Sequence, residues 1–275
     1  SIRIQGLDGK YTQILKDGFP LYSGFSGGLS LLQIVPLDLS QVEVIKGASS
    51  TLHGGGAIAG LVNLVSKTPT DDRELSVLLN ATSALGLDAS AFFAQKTGRF
   101  GTTLFVSYNL GTAYDPADIG LTAIPKFKRY TVNPKLFVYF SDKTILDVGM
   151  NTTLENRIGG DINYIEGNQD SIHTYFEQNE TTRFSTQIGL VHHQSEASKY
   201  SLKNSLSYYD RTVAAPEHTF SGIQYSSFSE VNFSHQSNSF EWVAGMNLWT
   251  DQFTQNQPDT ATVVDYNHLT MGAFI

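Results

Sequence analysis

The feature that most restricts the fold is a regular alternation of apolar and polar side chains that runs through residues 74–275. About ten segments show the period of two residues that is typical of a β-strand buried on one face. Leu104, Val106 and Tyr108 share one face of such a segment, and Asn109 lies on the other. We therefore predict antiparallel strands that each carry one apolar and one polar face.

Composition leaves two classes open, an unusually apolar soluble β protein and a membrane β-barrel. Charged residues make up only 16% of the chain, while hydrophobic residues make up 40%. Soluble domains usually contain about 25% charged residues. No apolar run approaches the roughly 20 residues of a membrane-spanning helix. The alternation suits an all-β antiparallel transmembrane β-barrel, whose strands turn apolar side chains to lipid and polar ones to the lumen.

The predicted connections between strands alternate in length. Short ones are expected at 97–101, 141–143, 194–198 and 236–238, and long ones at 111–129, 155–179, 211–222 and 251–262. Outer-membrane barrels combine tight periplasmic turns with long external loops. A soluble barrel or sandwich would give the same strand pattern without sorting its loops by side.

Aromatic residues gather near the ends of the predicted strands. They are Tyr130, Tyr139, Phe140, Tyr208, Tyr209, Trp249 and Phe253. Interfacial girdles would place aromatic rings at these positions. Ordinary β-propensity explains scattered aromatic residues equally well.

Charge and residue types exclude several classes of function. The net charge is −8 without a run of Lys or Arg, which argues against a nucleic-acid partner. The chain has no cysteine, so thiol catalysis, cysteine-bound metal and disulfides are excluded. No nucleophile with a base and no paired catalytic carboxylates emerge, so we predict neither an enzyme nor a bound cofactor.

Two groups of residues have side chains that can bind metal ions. His192 and His193 are neighbours on a strand, so their side chains point to opposite faces and cannot chelate one ion together. The predicted connection 155–179 carries four carboxylates that could offer oxygen ligands to Ca²⁺. These are Glu155, Asp161, Glu166 and Asp170. Their spacing is not that of an EF-hand, so we expect a solvated acidic loop and no metal.

Residues 1–69 follow a different pattern and predict a small α/β unit. Short strands are expected at 11–16, 41–46 and 59–66, and the first ends at the turn Asp17–Gly18. The glycines between 54 and 60 could suggest a phosphate-binding loop. A strand follows them instead of a long helix, so the nucleotide interpretation fails on context.

Two motifs in this unit occur in the order of a known family. The first joins IQGLDGKY at 4–11 to ILKDGFPLY at 14–22, and the second joins VEVIKG at 42–47 to HGGGAIAGLVNLV at 53–65. Together they resemble the plug domain of TonB-dependent outer-membrane receptors. The remainder of the chain resembles that family by period and position only.

The resemblance implies a fold and a task. The family threads a plug of about 150 residues through a barrel of about 22 strands. It binds a large scarce solute, such as a siderophore, haem, cobalamin or an oligosaccharide, and takes it up with energy from the TonB complex of the inner membrane. It further implies a Gram-negative outer-membrane location, contact with outer-membrane lipid, and a surface lipoprotein as an additional candidate partner.

The resemblance also assigns motif residues to the plug. These are Glu43, Lys46, Gly47, Gly54, Gly56, Gly60 and Asn63. The family usually has an arginine, which pairs with barrel glutamates, where this chain has Gln5. One anchor of the plug is therefore expected to be weaker, with Lys46 serving as another.

Ligand contact is expected in the apical loops of the plug, where the family presents such residues. The candidates are Asp8, Lys10, Tyr11, Tyr22, Ser23 and Phe25. Tyr22 and Phe25 are the sharpest choices, because an aromatic ring exposed on a glycine-rich loop can stack on a ligand. Packing of these rings against the barrel wall is the alternative.

We predict two units: the C-terminal part of a plug at 1–69, and the N-terminal part of a transmembrane barrel at 74–275. We expect the chain to be a piece of a longer protein, because residues 269–275 still alternate and an open sheet edge in lipid leaves backbone groups unpaired. The leading function is TonB-dependent uptake. The alternatives are a passive porin or surface adhesin, and a soluble secreted β-rich carbohydrate-binding protein.

Overall fold

The computed structural model describes residues 4, 6, 7, 11–22, 34, 36–47, 57–168, 170–237, 240–256 and 264–275. Within these ranges the chain forms fourteen strands, a 3-10 turn at Pro36–Asp38 and one short helix, α1 (Ile162–Glu166). Neither helical segment of this described part is long and apolar enough to cross a bilayer. The strands form two separate sheets.

The small sheet contains the first four strands. They are β1 (Thr12–Lys16), β2 (Phe19–Tyr22), β3 (Leu39–Lys46) and β4 (Gly60–Ser66), in the order β2-β1-β4-β3. β1 and β4 run parallel, whereas β1 pairs with β2 and β3 pairs with β4 in antiparallel fashion. The core of this sheet consists of Ile4, Ile14, Ala59, Val62 and Leu64.

The predicted Asp17–Gly18 turn closes the hairpin of β1 and β2. Lys16 pairs with Phe19, which leaves two residues in the loop. Both have positive φ, +55° for Asp17 and +74° for Gly18. Two positive φ angles in a two-residue loop define a type I′ turn, for which Asp-Gly is a preferred sequence. The local chemistry of two residues therefore sets the geometry of this hairpin.

The large sheet contains ten strands, each paired with its neighbour in the chain and all antiparallel. Their bounds are β5 (Glu74–Ala81), β6 (Leu87–Thr97), β7 (Phe100–Gly111), β8 (Lys126–Ser141), β9 (Thr144–Gly160), β10 (Phe176–His193), β11 (Ser198–Ala215), β12 (His218–Gln236), β13 (Glu241–Gln255) and β14 (Tyr266–Phe274). The predicted antiparallel meander is confirmed.

The two faces of the large sheet have the polarity that the alternation predicts. On β7, Leu104 is 39% exposed, whereas Phe105 and Asn109 are only 2% and 5% exposed. The buried polar residues of the inner face include Ser90, Thr103, Ser107, Thr131, Thr153, Asn179, Thr181, Gln187, Ser205 and Gln224. Apolar side chains thus cover the outside and polar ones the inside, which is the reverse of a water-soluble sheet.

One predicted long connection is absent and the other three begin later than predicted, because the strands extend further than the sequence pattern indicated. β11 continues to Ala215 and β12 starts at His218, so a two-residue turn replaces the long loop expected at 211–222. β9 continues to Gly160, so Glu155 lies within a strand and not in a loop. Polar residues on the inner face of a barrel belong to the strand pattern, and their polarity alone does not indicate a loop.

Outward aromatic residues form two levels on the large sheet. Tyr208 packs against Tyr225 with ring centroids 5.3 Å apart, and Tyr200 packs against Phe233 at 4.7 Å, with the rings tilted in both pairs. On each strand the two rings are eight positions apart, about 26 Å at the usual rise of about 3.3 Å per residue. This spacing matches the apolar band of about 25 Å that aromatic girdles flank in outer-membrane barrels.

Four of the predicted girdle residues face inward and are corrections. Tyr209 and Phe253 are buried on the inner face at 4% and 3% exposure. Trp249 packs edge-on against the buried Phe228 with centroids 5.0 Å apart, and Tyr139 lies under the Lys96 ammonium at 4.8 Å. Successive side chains of a strand point to opposite faces. Each of these four residues lies an odd number of positions from an outward residue of the same strand, so its side chain points to the lumen.

Candidate functional site

The small sheet lies against the inner face of the large sheet. This large sheet is the wall. Leu37, in the 3-10 turn, packs on a buried apolar cluster of the wall that is formed by Phe92, Ala94 and Phe105. The side-chain amide of Gln187 on β10 donates to the carbonyl oxygen of Lys16 at 3.4 Å. The inner face of the large sheet therefore holds the small sheet through both apolar and hydrogen-bonded contacts.

The turn of the β1–β2 hairpin meets a lysine of the wall. The Nζ atom of Lys135 on β8 lies 3.3 Å from Oδ2 of Asp17 and 3.1 Å from Oδ2 of Asp147 on β9. The three side chains are between 14% and 20% exposed. One wall cation thus contacts a carboxylate of each sheet.

A second wall lysine approaches the same turn from β11. Lys203 lies over the ring of Phe19 at 5.8 Å and forms an ion pair of 3.7 Å with Glu230 on β12. A Cβ atom on Gly18 would come within 2.4 Å of the Lys203 ammonium. Glycine at this position, already favoured by its positive φ, therefore also makes room for the wall lysine.

Polar contacts inside the small sheet hold the turn in place. Asp17 Oδ1 accepts a hydrogen bond from the Ser66 N–H at 2.7 Å, and the Gly18 N–H donates to Asn63 Oδ1 at 3.0 Å. Asn63 in turn donates to Glu43 at 2.8 Å. The motif residue Asn63 therefore links the edge strand β3 to the hairpin turn.

A buried ion pair connects β1 to the 3-10 turn. Lys16 Nζ lies 2.6 Å from Asp38 Oδ2, and the two side chains are 11% and 7% exposed. Both residues also line a cavity of about 840 Å³ between the small sheet and the inner wall, together with Arg183, Gln224 and Trp249. Because the lining combines polar side chains with aromatic rings, this space suits a hydrophilic occupant that also offers flat apolar surface.

The inner wall carries a charge cluster near the end of β8 and β9 that bears the long connections. The side chain of Glu155 has 0% exposure and contacts the guanidinium groups of Arg129 and Arg157, the second at 3.3 Å. Both guanidinium groups also lie over the ring of Phe127, at 5.4 Å and 5.3 Å. The carboxylate thus neutralises two neighbouring cations in a site from which water is largely excluded.

Comparison with known proteins agrees with this geometry. The sequence model of the TonB-dependent Receptor Plug Domain family matches residues 1–61. This segment contains β1 to β3 and the turn that contacts the inner wall. Residues 1–61 are thus a plug domain of the TonB-dependent receptors. Members of this family are receptors and transporters of the Gram-negative outer membrane, and the predicted family and localisation are confirmed.

Individual relatives share only part of the receptor. The vitamin B12 transporter BtuB of Vibrio vulnificus is 35% identical over 103 residues, which cover 38% of this chain and 15% of that protein. Transferrin-binding protein A of Haemophilus influenzae is 28% identical over 120 residues, covering 39% and 12%. The chain therefore spans a small part of the curated relatives it matches.

Solved structures extend the likeness to nearly the whole chain. The alcaligin outer-membrane receptor FauA of Bordetella pertussis superposes with a TM-score of 0.71 at 14% identity, over 95% of this chain and 42% of that one. The ferric-catecholate import receptor Fiu of E. coli superposes with a TM-score of 0.69 at 14% identity, over 98% and 47%. The predicted fold class, a plug followed by an antiparallel transmembrane barrel, is confirmed.

The predicted motif residues of the receptor occupy several environments. Gly60 opens β4, and Glu43 and Asn63 hydrogen-bond to each other. Lys46 is exposed at the end of β3, the edge strand of the small sheet, and Gly47 follows it with a φ of +94°. Gly54 and Gly56 lie outside the described residues.

Most predicted ligand residues cannot be placed. Asp8, Lys10, Ser23 and Phe25, and the side chain of Tyr22, lie outside the described residues. Tyr11 is half-buried and packs against the core of the small sheet. Ligand contact by these six residues stays a prediction.

The residues that join the two sheets were not identified as a site from the sequence. Alternation assigns Lys135 and Lys203 to the polar face of their strands, which is the signal that was available. Asp17, the partner of Lys135, was predicted only as a turn residue. The contact between Lys135 and Asp17 spans 118 positions, and no local pattern indicates which lumen lysine meets the turn.

The four acidic residues predicted to share one loop have separate roles. Glu155 pairs with wall arginines, whereas Asp161 is the N-cap of α1 and accepts from the N–H of Asn163 at 2.8 Å. Glu166 is exposed at the end of α1. Asp170 accepts from the N–H groups of Ile172 and His173 at 2.7 Å and 2.9 Å.

Asp170 and His173 form an exposed ion pair in the connection 161–175. The His173 Nδ1 atom lies 2.9 Å from Asp170 Oδ2. Hydrogen bonds from the His173 N–H, the His173 ring and the Ile172 N–H lower the pKa of Asp170 to about 2. The hydrogen bond with Asp170, with smaller contributions from the charges of Asp170 and Asp161, raises the pKa of His173.

We expect this pair to order the connection over a defined pH range. The Asp170 contribution is complete above its ordinary pKa of about 3.9 and is lost as pH falls toward 2; the His173 contribution is complete below about 6.5 and is lost as pH rises through its raised pKa. NMR titration of His173 in the complete receptor should give a higher pKa than in the Asp170→Asn variant. Equal values in both would contradict the pairing, and Asp118→Asn in the neighbouring connection is the control.

Proposed function

We propose that residues 1–69 are the C-terminal part of a plug and residues 74–275 the first part of a transmembrane barrel, in a receptor that takes up a large scarce solute. The observation that carries this proposal is the contact of the small sheet with the polar inner face of the large sheet, through Asp17, Lys16 and Leu37. A domain held inside a barrel blocks free diffusion, so passage of a solute requires that it move or rearrange.

The solute class is proposed from the relatives. Their names describe a vitamin B12 transporter, a transferrin-binding protein and a ferric-catecholate import receptor. We infer that this receptor takes up a siderophore, haem, cobalamin or an oligosaccharide. The two levels of outward aromatic rings support a position in outer-membrane lipid.

The energy source and partners belong to the same proposal. The TonB complex of the inner membrane would act on the plug through a segment of the receptor that precedes Ser1. A surface lipoprotein is a further candidate partner. We propose ligand contact through Asp8, Lys10, Tyr11, Tyr22, Ser23 and Phe25.

Uptake should depend on TonB. We expect cells that express the complete receptor to accumulate one of the four solute classes, supplied as a radiolabelled panel, and to lose this accumulation when TonB is deleted. A matched strain that lacks only the receptor supplies the background. Accumulation that persists without TonB, with large steady conductance of the purified protein in planar bilayers, would indicate a passive porin instead.

A further inference from the structure

Lys135 of the wall joins the two sheets by ion pairs. Its ammonium lies between Asp17 of the hairpin turn, at 3.3 Å, and Asp147 of the neighbouring wall strand, at 3.1 Å. Lys203, on the other side of the turn, is paired with a wall residue, Glu230. Lys16 is paired with Asp38. Lys135 therefore contacts a carboxylate of the small sheet and a carboxylate of the wall at the same time.

The wall is built to hold this arrangement. Lys135 pairs across the strands with Gly149, where an added Cβ would lie 3.2 Å from the lysine side chain. Asp147 pairs with Gly189, where an added Cβ would lie 2.4 Å from the carboxylate. A glycine opposite each charged residue leaves space for both side chains to lie along the wall and meet in front of the turn.

Both members of the contact keep a second partner. When the turn leaves the wall, Lys135 retains Asp147, and Asp17 retains the Ser66 N–H, which its other oxygen accepts at 2.7 Å. Breaking a buried ion pair is strongly unfavourable when it leaves a buried charge without a partner. Here neither charge loses its last partner, so separation is less unfavourable than for a simple pair.

We propose that Lys135 is a positioning residue that acts as a releasable latch, holding the Asp17–Gly18 turn of the plug against the barrel wall and transferring to Asp147 when the plug moves. The latch rests on the proposed assignment of the small sheet as a plug, but not on the identity of the solute. It opens by exchange of partners on one ammonium group.

The test is hydrogen–deuterium exchange of residues 12–22, followed by mass spectrometry on the complete receptor in lipid vesicles without solute or TonB. Asp17→Asn keeps the acceptor for Ser66 and tolerates the positive φ, but removes the charge that faces Lys135. We expect exchange to become about tenfold faster. This is the factor that corresponds to the weakest hydrogen bonds usually found with a charged partner.

Asp147→Asn distinguishes a releasable latch from a rigid brace, that is, a permanent contact in which Asp147 only stabilises the cluster. Without Asp147 the lysine retains only Asp17 as an ionic partner, so release of the turn becomes harder and exchange of 12–22 should slow about threefold to tenfold. A brace predicts the opposite, faster exchange, because the cluster loses a stabilising charge. Faster or unchanged exchange in Asp147→Asn, or unchanged exchange in Asp17→Asn, would overturn the latch.

Asp142→Asn, in the exposed turn between β8 and β9, is the matched control and should not change exchange of the hairpin. A heat-dependent shift on denaturing gels checks that each variant has a folded barrel. Because neither solute nor TonB is present, the exchange result is independent of the uptake experiment. Slower exchange in Asp147→Asn supports the latch even if no solute of the panel is transported.

Discussion

Replacing Glu155 by alanine is expected to lower the free energy of unfolding of the barrel by about 3–5 kcal/mol, as for other buried ion pairs that lose one partner. The carboxylate has 0% exposure and contacts both Arg129 and Arg157. Its removal takes away the carboxylate that both guanidinium groups contact, while both cations stay close to the ring of Phe127. The expected loss is large because both the repulsion and the desolvation act in a site with little water.

Guanidinium unfolding of the complete receptor in detergent, followed by tryptophan fluorescence, measures this effect. Glu180→Ala on the adjacent strand β10 is the matched control. Glu180 is exposed and accepts from Asn156 and Gln178 at 3.1 Å and 2.8 Å, so its loss should change stability by no more than about 0.5 kcal/mol. Equal losses in the two variants would show that the arginines do not depend on Glu155.

Gly60→Ala should disrupt the small sheet, with a loss of at least about 3 kcal/mol from backbone strain and steric clash together. Gly60 has a φ of +146°, and an added Cβ would lie 2.3 Å from the carbonyl oxygen of Ile45. Ile45 is held by the pairing of β3 with β4, in which Lys46 opposes Gly60. The backbone cannot move away without losing the ladder that attaches the edge strand.

Gly47→Ala is the matched control for this substitution. Gly47 also has a positive φ, +94°, but no atom of the described residues lies within 4 Å of an added Cβ. It should therefore cost only the backbone strain, about 1–2 kcal/mol. Limited proteolysis of the complete receptor should cleave the Gly60→Ala plug much faster than the Gly47→Ala plug. Equal cleavage rates would mean that the contact with Ile45 does not decide the need for glycine.

The strands and their faces followed from the sequence because they depend on near neighbours. Alternation at 104, 106 and 108 identifies the lipid-facing side of β7, and Asp17–Gly18 selects a type I′ turn from its own backbone preferences. The predicted loop at 211–222 failed for a related reason. Polar and charged residues there continue the strand on the lumen side, where the wall, and not bulk water, surrounds them.

The sequence by itself determined the wall, its polarity and the hairpin turn, since each is encoded within a few consecutive residues. Only the tertiary structure decided that Lys135 meets Asp17, 118 positions away, and that Gln187 reaches the Lys16 carbonyl, 171 positions away. Many polar side chains face the lumen, and their types do not distinguish one as the partner of the plug. That choice depends on the curvature and register of the complete sheet, which place one lysine in front of one turn.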